Sequence, residues 1–543
     1  MAVSIHPARD VPGTPAGSRR RGRLTAHHDG LTWFAAAVVV VFAFGIYLRT
    51  MLPGLGFWDT GEAQTVPHTL SIFHPTGFPT YTLLGWAWSQ LPFGSVAYRM
   101  NLMSGVSMAL SAGLVTLIAA RLIEERHRAT VAIAAGIAGL TFAMASEPWD
   151  NALRADVHAL HALIVTSILW LMLTWRVAVR AGSPRSGRWL MAAALVFGLG
   201  LGNHPLTGLL AFGIAPFLFI VDPHLWRKPG LILGCAALLV IGLGTYLYIP
   251  IRAAIDPAPP LFYARPDTPE RLRYLLFAEQ FRDLFAHFDD PLTFFSQRWD
   301  KTESVLALQF IGPGWLLVAF GAATVAVRRV GTFAFLGIIV VVNVWYSMNF
   351  QDGDIDRYYL TTVIVATAVL GVAIAGLATT SARAAAELGR RLGRAGRRRL
   401  AAGASLAVLL LALLLPAGSL VTLYDRRDRS DDHEADRWVT SVFEALPKDA
   451  VVLSWWSYST ALWYHRWILG ERPDVTIIDE RNMLDDGYLT WDGAIRAFRG
   501  RRPVFLVPPE WESQRLLRNW DTETVSTYAG YTKLQRVKEQ SEL

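Results

Sequence analysis

Eleven apolar stretches divide this 543-residue chain, near 31–50, 100–121, 129–146, 157–175, 189–202, 205–221, 230–250, 311–327, 331–348, 359–378 and 401–423. Most approach the roughly 20 residues needed to cross a bilayer core. With 52% hydrophobic residues, 17% charged residues and a mean hydropathy of +0.31, the chain is more apolar than a soluble core of its length requires. The expected fold is a polytopic α-helical membrane protein with about 11 transmembrane helices. The first span follows Arg19, Arg20, Arg21 and Arg23 as a signal peptide would, yet its apolar run is long and no small-residue cleavage site follows. It reads as a retained anchor behind a disordered, basic N terminus over residues 1–30.

Basic residues near span ends resist translocation, so their distribution sets orientation. One side collects Arg121, Arg126 and Arg128, then Arg176, Arg180, Arg185 and Arg188, then Arg227 and Lys228, then Arg328 and Arg329, and a run from Arg383 to Arg399. The short loops of the other side hold only Arg99, Arg154 and Arg357. This places the N terminus in the cytoplasm. The segment 251–304, outside in this scheme, departs from it with seven Lys/Arg residues, and its amphipathic pattern suggests helices lying on the membrane. A net charge of +7 follows largely from the cytoplasmic loops, which suits anionic lipid headgroups. No aromatic-interleaved basic groove points to nucleic acid. The single cysteine, Cys235, lies mid-span and excludes an internal disulfide or a cysteine-based zinc site.

From about residue 425 the pattern becomes soluble, with β-type runs at 450–455, 474–479 and 503–507 between helical stretches. The expected organisation is therefore a transmembrane domain over 31–424, with a first outer loop at 51–99 and a second at 251–304, followed by a small extracytoplasmic α/β domain at 425–543. Dense polar motifs gather on the outer side: WDTGE, HPTGFP, EPWDNALRADVH, GNHP and DGDIDRYY. Such asymmetry suggests an enzyme working at the outer surface.

Asp59 and Glu62, within Trp58-Asp59-Thr60-Gly61-Glu62, put two carboxylates just beyond the first span. Either Asp59 or Thr60 could cap a helix starting here. The catalytic alternative is a general base, a shielded carboxylate that takes the proton of an attacking hydroxyl; Asp59 is the first choice and Glu62 the second. His74 lies twelve residues after Glu62, at the head of a turn that Pro75, Gly77 and Pro79 make rigid.

WDTGE, HPTGFPTYTLLG and LPFGSVAYRMNLMSG together resemble the opening block of the transmembrane protein 260-like family of protein O-mannosyltransferases. EPWDNALRADVHAL, GLGLGNHP, YLYIPIRA and RPDV resemble later blocks, so the likeness spans most of the chain. Where the family commonly shows an HPPG-type turn and an acidic-Val-Tyr-Ala-Leu segment, this chain has Thr76 and His158. The family resembles type C glycosyltransferases, which implies a many-span fold, a catalytic carboxylate in the first outer loop, and a polyprenyl-phosphate-linked sugar as donor. No Walker or dinucleotide fingerprint stands in context.

Transfer from a phosphate leaving group requires charge stabilisation. Arg252, just past the seventh span, is the leading candidate, with His204 and Arg357 behind it, although Arg252 could equally be an interfacial snorkelling residue. Glu147, Asp150, Arg154, Asp156, His158 and His161 are dense enough to line a substrate cavity with His74, while Asp150 and Arg154 stand four apart and could simply pair. Asp352, Asp354 and Asp356 alternate in a way that suggests a divalent site, but the glycine and distal glutamate of an EF-hand are not in register, and no metal site is assigned. The aromatic run SWWSYSTALWYHRW reads first as core or interface belt and second as a stacking surface for an acceptor.

The function expected is a membrane glycosyltransferase moving a sugar, mannose by resemblance, from a polyprenyl-phosphate donor to a protein Ser/Thr or cell-envelope glycan, with inversion. Its partners are membrane lipid, the lipid-linked donor and that acceptor, and no cofactor beyond the donor is assigned. The rival class is a lipid-linked glycan flippase, which should carry charges at the bilayer midplane. A scaffold binding cell-surface polymer is a third reading. The Arg/Ala-rich style suggests a bacterial plasma membrane.

Overall fold

The computed structural model describes residues 28–125, 127–284, 291–350, 353–483, 487–488, 490–526, 528 and 533–538. The expected N-terminal segment lies outside them up to residue 27, as does Asp352. α1 (Gly30–Thr50) is capped by Asp29, whose carboxylate accepts the Thr32 N–H at 3.0 Å. The short α2 (Trp58–Thr69) and α3 (Pro79–Ser89) precede the long α4 (Val96–Leu122). α5 (Arg128–Ala143) and α6 (Ser146–Ala152) form a pair bent by 65°. α7 (Val157–Arg180) and α8 (Gly187–Asn203) form a hairpin, and a 3-10 turn then leads into α9 (Ala211–Val221).

α10 (Pro229–Leu243) runs through a 3-10 turn into α11 (Tyr248–Ala254). The second polar loop carries α12 (Pro269–Leu276) and α13 (Pro291–Ala307). α14 (Gly314–Arg328), α15 (Val330–Asn349), α16 (Leu360–Leu388), α17 (Gly393–Ala412) and α18 (Leu414–Arg427) complete the bundle.

Among the described residues, seven helical segments are long and apolar enough to cross a membrane, or eight if the bent α5–α6 pair counts as one span. The other expected stretches form α8 and the apolar segments Pro205–Val221 and Gly314–Arg328, each of 17 residues or fewer. The expected eleven apolar elements are therefore present, but length alone does not make each a full span. Burial sorts them into layers: 89% of the most apolar window of Ile355–Leu388 is inside the protein, against 6% for Pro229–Ala254. α4, α7 and α16 thus form the centre. Gly139 on α5 leaves no room for a Cβ against the Ala112 carbonyl and Thr116 of α4, the close small-residue approach by which helices associate in lipid.

Beyond the bundle, α19 (Glu434–Ala445), β1 (Val451–Ser454), α20 (Trp456–Trp467), β2 (Thr476–Asp479), α21 (Trp491–Phe498), β3 (Val504–Val507), α22 (Glu510–Asn519), β4 (Thr522–Ser526) and β5 (Leu534–Val537) follow. The sheet order is β2-β1-β3-β5-β4. β1 runs parallel to both neighbours, with Val451 opposite Thr476 and Val504, and β5 is antiparallel to β3 and β4. β1 and β3 are buried at every residue, as strands covered on both faces must be. The three expected β-runs became β1, β2 and β3; the polar β4 and β5 had no apolar run to reveal them.

This α/β unit sits on the polar loops. The Tyr464 hydroxyl accepts the Ala97 N–H at the start of α4 at 3.0 Å, and Asp436 accepts the Leu55 N–H at 3.3 Å. At Gly61 a side chain would collide with the Gly56 carbonyl and Thr460, so this glycine of WDTGE lets α20 lie against α2. The two polar loops are joined as well: the Ile72 N–H donates to the Leu261 carbonyl at 2.9 Å.

Candidate active site

The C-terminal end of α1, the start of α4, the start of α7, the end of α8 and the start of α16 all meet at one end of the bundle, beneath the α/β unit. A cavity of about 600 Å³ opens there. Its wall includes Trp58, Asp59, His74, Asp156, His158, His204, Arg282, Asp354, Arg357, Trp456 and Arg481.

Asp59 occupies the first turn of α2, where the helix dipole favours a carboxylate. The residue at the cap position is Phe57, and no side chain caps this helix. Capping is therefore not what holds Asp59 or Thr60 in place. Asp59 instead pairs with one arm of the Arg357 guanidinium, whose other arm donates to Asp156 Oδ2 at 2.9 Å. Asp156 caps α7 by accepting the His158 N–H, and its Oδ1 also meets His158 Nδ1 at 2.8 Å. A chain of Asp59, Arg357, Asp156 and His158 thus crosses the cavity floor.

Glu62 is almost fully buried and is absent from the cavity wall. One of its oxygens accepts the His74 backbone N–H at 2.9 Å, and the other meets His74 Nδ1 at 2.5 Å. It anchors the HPTGFP turn, in which Gly77 takes φ +84°, a conformation that favours glycine. The ligating atoms of Asp59, Glu62 and His74 lie within 4.8 Å of one another, and carboxylate and imidazole donors suit a divalent cation. Each of these donors already has a partner here: Arg357 for Asp59, and each other for Glu62 and His74.

Other expected residues divide cleanly. His204 reaches the wall, stacked on Phe78 with ring centroids 5.6 Å apart. Arg252 does not: its guanidinium donates to the carbonyls of Leu70 at 2.9 Å and Pro257 at 3.3 Å, which ties the two polar loops together. Asp150 pairs with Arg154 at 3.1 Å and with Arg427 at 2.6 Å, and Glu147 belongs to the same α6 cluster, away from the cavity wall. His161 meets Thr207 Oγ1 at 3.3 Å, also away from the wall. The aromatic run became α20, packed on α2, and only Trp456 of α20 reaches the cavity.

Arg481 had drawn no attention in the sequence. It follows β2 and lies over the Trp456 ring at 3.9 Å, so the α/β unit adds a cation to the cavity roof. The available signal was its place just past the carboxyl end of a parallel strand, where open α/β sheets present functional groups. Arg282 of the second loop was likewise missed.

Burial alone would push the Asp59 carboxyl up, but Arg357 and His74 outweigh it and hold it below the usual carboxylate range. Burial opposes the His74 cation, yet Glu62 and Asp59 raise it above the usual imidazole range. Asp59 therefore adds stability above about pH 3.9, lost as pH falls through its lowered value. His74 adds stability that is complete below about pH 6.5 and lost as pH rises through its raised value. For these two groups the unfolding temperature is expected to be level between about pH 4 and 6.5 and to fall above it. In His74→Asn the alkaline fall should shrink; parallel wild-type and variant curves above that range would show that the pair is not its source.

The α-helical membrane bundle beneath a small α/β unit has the fold of a solved membrane protein, ArnT. Its likeness to solved structures is strong: ArnT from Cupriavidus metallidurans bound to undecaprenyl phosphate superimposes with a TM-score of 0.58 over 94% of this chain and 99% of that one, at 14% identity. The apo ArnT structure gives 0.57. Residues 59–227, beginning on Asp59 itself, match the Protein O-mannosyl-transferase TMEM260 N-terminal domain. The mouse Protein O-mannosyl-transferase TMEM260 is 26% identical over 513 residues, covering 90% of this chain and 67% of that protein. The Dictyostelium discoideum protein is 20% identical, covering 75% of this chain and 52% of its own length. The chain is thus similar, most specifically over residues 59–227, to the TMEM260 protein O-mannosyltransferases. It spans about two thirds of the mouse relative and about half of the Dictyostelium one.

Proposed function

We propose that the chain is a membrane glycosyltransferase that moves a sugar, mannose in the first instance, from a polyprenyl-phosphate donor to an acceptor hydroxyl at the extracytoplasmic face of a plasma membrane. The observation that carries this reading is Asp59, paired with Arg357, on the wall of a cavity whose other walls supply His204 and Arg481. The lipid-linked donor is supported by the family and by the undecaprenyl phosphate bound in the ArnT structure of the same fold.

Asp59 accepts the proton of the acceptor hydroxyl as that oxygen forms its bond to the anomeric carbon. The bond from that carbon to the phosphate oxygen breaks, and its electron pair leaves with the phosphate. His204, Arg481 and the Arg357 guanidinium line the same cavity and are the groups proposed to stabilise that developing charge. A carboxylate acting as base, in a single displacement, gives inversion. Glu62 is a positioning residue through His74, and Arg252 holds the loops. The acceptor class is a protein Ser/Thr hydroxyl, as in the related family, with a cell-envelope glycan as the other possibility.

The test is transfer of labelled sugar from polyprenyl-phosphate-mannose into protein and lipid fractions by the purified protein. Label in the protein fraction is the expected result, and it should survive EDTA, because Arg357 already neutralises Asp59 and Glu62 is held by His74. Loss with EDTA and recovery with a divalent cation would make Asp59, Glu62 and His74 metal ligands. Folded protein that moves labelled lipid across vesicles without forming a glycosidic bond would establish the flippase instead.

A further inference from the structure

A second cavity, of about 410 Å³, lies between the second polar loop and the α/β unit, and the transfer reaction makes no use of it. That volume is in the range of about 300–1,000 Å³ typical of small-molecule sites. Its walls are Phe262, Arg265 and Asp267 from the loop, and Trp463, Asp479 and Asn482 from the α/β unit. Asp479 and Arg481 stand two residues apart at the end of β2, with Asp479 on this cavity and Arg481 on the first. The segment between them is a shared partition.

Asp479 is 2% exposed. Its Oδ1 accepts the Arg481 N–H at 3.0 Å and the Ser459 hydroxyl stands beside the carboxyl, but its buried Oδ2 receives no hydrogen bond of good geometry. The buried Oδ1 of Asn482 is also unpartnered. Burial pushes the Asp479 carboxyl up to about 7, outweighing the Ser459 hydroxyl and Arg481, which favour the charged form. Two unsatisfied acceptors on the wall of one cavity are costly unless something supplies hydrogens to them. Charge narrows what that is. The wall carries both signs, Arg265 beside Asp479 and an Asp267 that already pairs with Arg271 at 3.3 Å, which suits a neutral ligand rich in hydroxyls. Trp463 adds an aromatic surface suited to the apolar face of a sugar ring.

We propose that this cavity is a binding site for a hexopyranose unit, held by hydroxyl donation to Asp479 and Asn482 and by packing on Trp463. The site is separate from the one at Asp59 and is filled without the lipid-linked donor. A transferase with such a site would engage an acceptor that already carries sugar.

The experiment is saturation-transfer NMR on the full chain in nanodiscs without donor, using methyl α-D-mannopyranoside, methyl β-D-glucopyranoside and an N-acetylated, amidated Thr tripeptide as separate probes. A pyranoside is expected to bind, with affinity lowered about tenfold or more in Asp479→Asn and in Asn482→Leu, each removing one hydrogen bond. Asp59→Asn should bind it as the wild type does. Absence of pyranoside binding to folded wild type, binding unchanged in both variants, or binding of the tripeptide in place of the sugar would overturn the proposal. Sugar binding with no transfer activity would instead remove the catalytic reading and leave this site standing.

Discussion

Asp59→Asn is expected to reduce sugar transfer by about 10²–10⁴-fold, the usual contribution of a positioned general base. The amide keeps the shape and can still touch Arg357, but it cannot take the proton of the attacking hydroxyl. Arg357 retains Asp156 as a partner at 2.9 Å, so the fold and donor binding should survive. The comparison is Glu62→Gln, whose side chain is absent from the cavity wall and holds the HPTGFP turn. That variant should act through turn geometry, with a lowered unfolding temperature accompanying whatever activity is lost. The measurement is initial rate from polyprenyl-phosphate-mannose together with thermal unfolding of each protein. Near-normal turnover in Asp59→Asn would remove it from the base's role.

Arg357→Met should have the largest effect on stability. The guanidinium is the shared counter-ion of Asp59 and Asp156, and the Asp156 side chain is only 2% exposed. Removing one partner of a buried pair leaves an uncompensated charge at a cost of about 3–5 kcal/mol. Methionine fills much of the volume and brings none of the charge. Because the cost arises from stranded carboxylates, it should be partly relieved in Arg357→Met combined with Asp156→Asn, which removes one of them. Residues in contact should therefore show strong non-additivity. Additive losses in denaturation would mean that Arg357 contributes by packing alone. Transfer should be lost in both variants, since neither positions Asp59 nor offers the cation to a leaving phosphate.

Much of the cavity's polar lining was legible in the sequence. Asp59, His74, Asp156, His158, His204 and Arg357 were all singled out, and all reach one cavity wall. They stood out because polar residues next to apolar spans are few and have a cost that function must justify. Residues in the same motifs but with other duties could not be separated from them. Asp150 and Arg154 form the i,i+4 pair that their spacing allowed, and Arg252 spends its guanidinium on backbone carbonyls. Arg481 was hidden because nothing local distinguishes an arginine after a short strand.

The sequence by itself determined the apolar elements, the helical class, the turn at His74-Pro75-Thr76-Gly77 and three β-runs of the α/β unit. Each follows from short-range chemistry: partition of apolar segments, the restricted backbone of proline, the freedom of glycine and the short β-branched apolar runs of the buried strands. The tertiary structure alone decided which carboxylate faces the cavity, which arginine it meets and what closes the roof. Asp59 and Arg357 are 298 positions apart, and Arg481 reaches the same cavity from another unit. Such pairings depend on how helices pack and where the α/β unit docks, and no local pattern encodes a distance set by the whole fold.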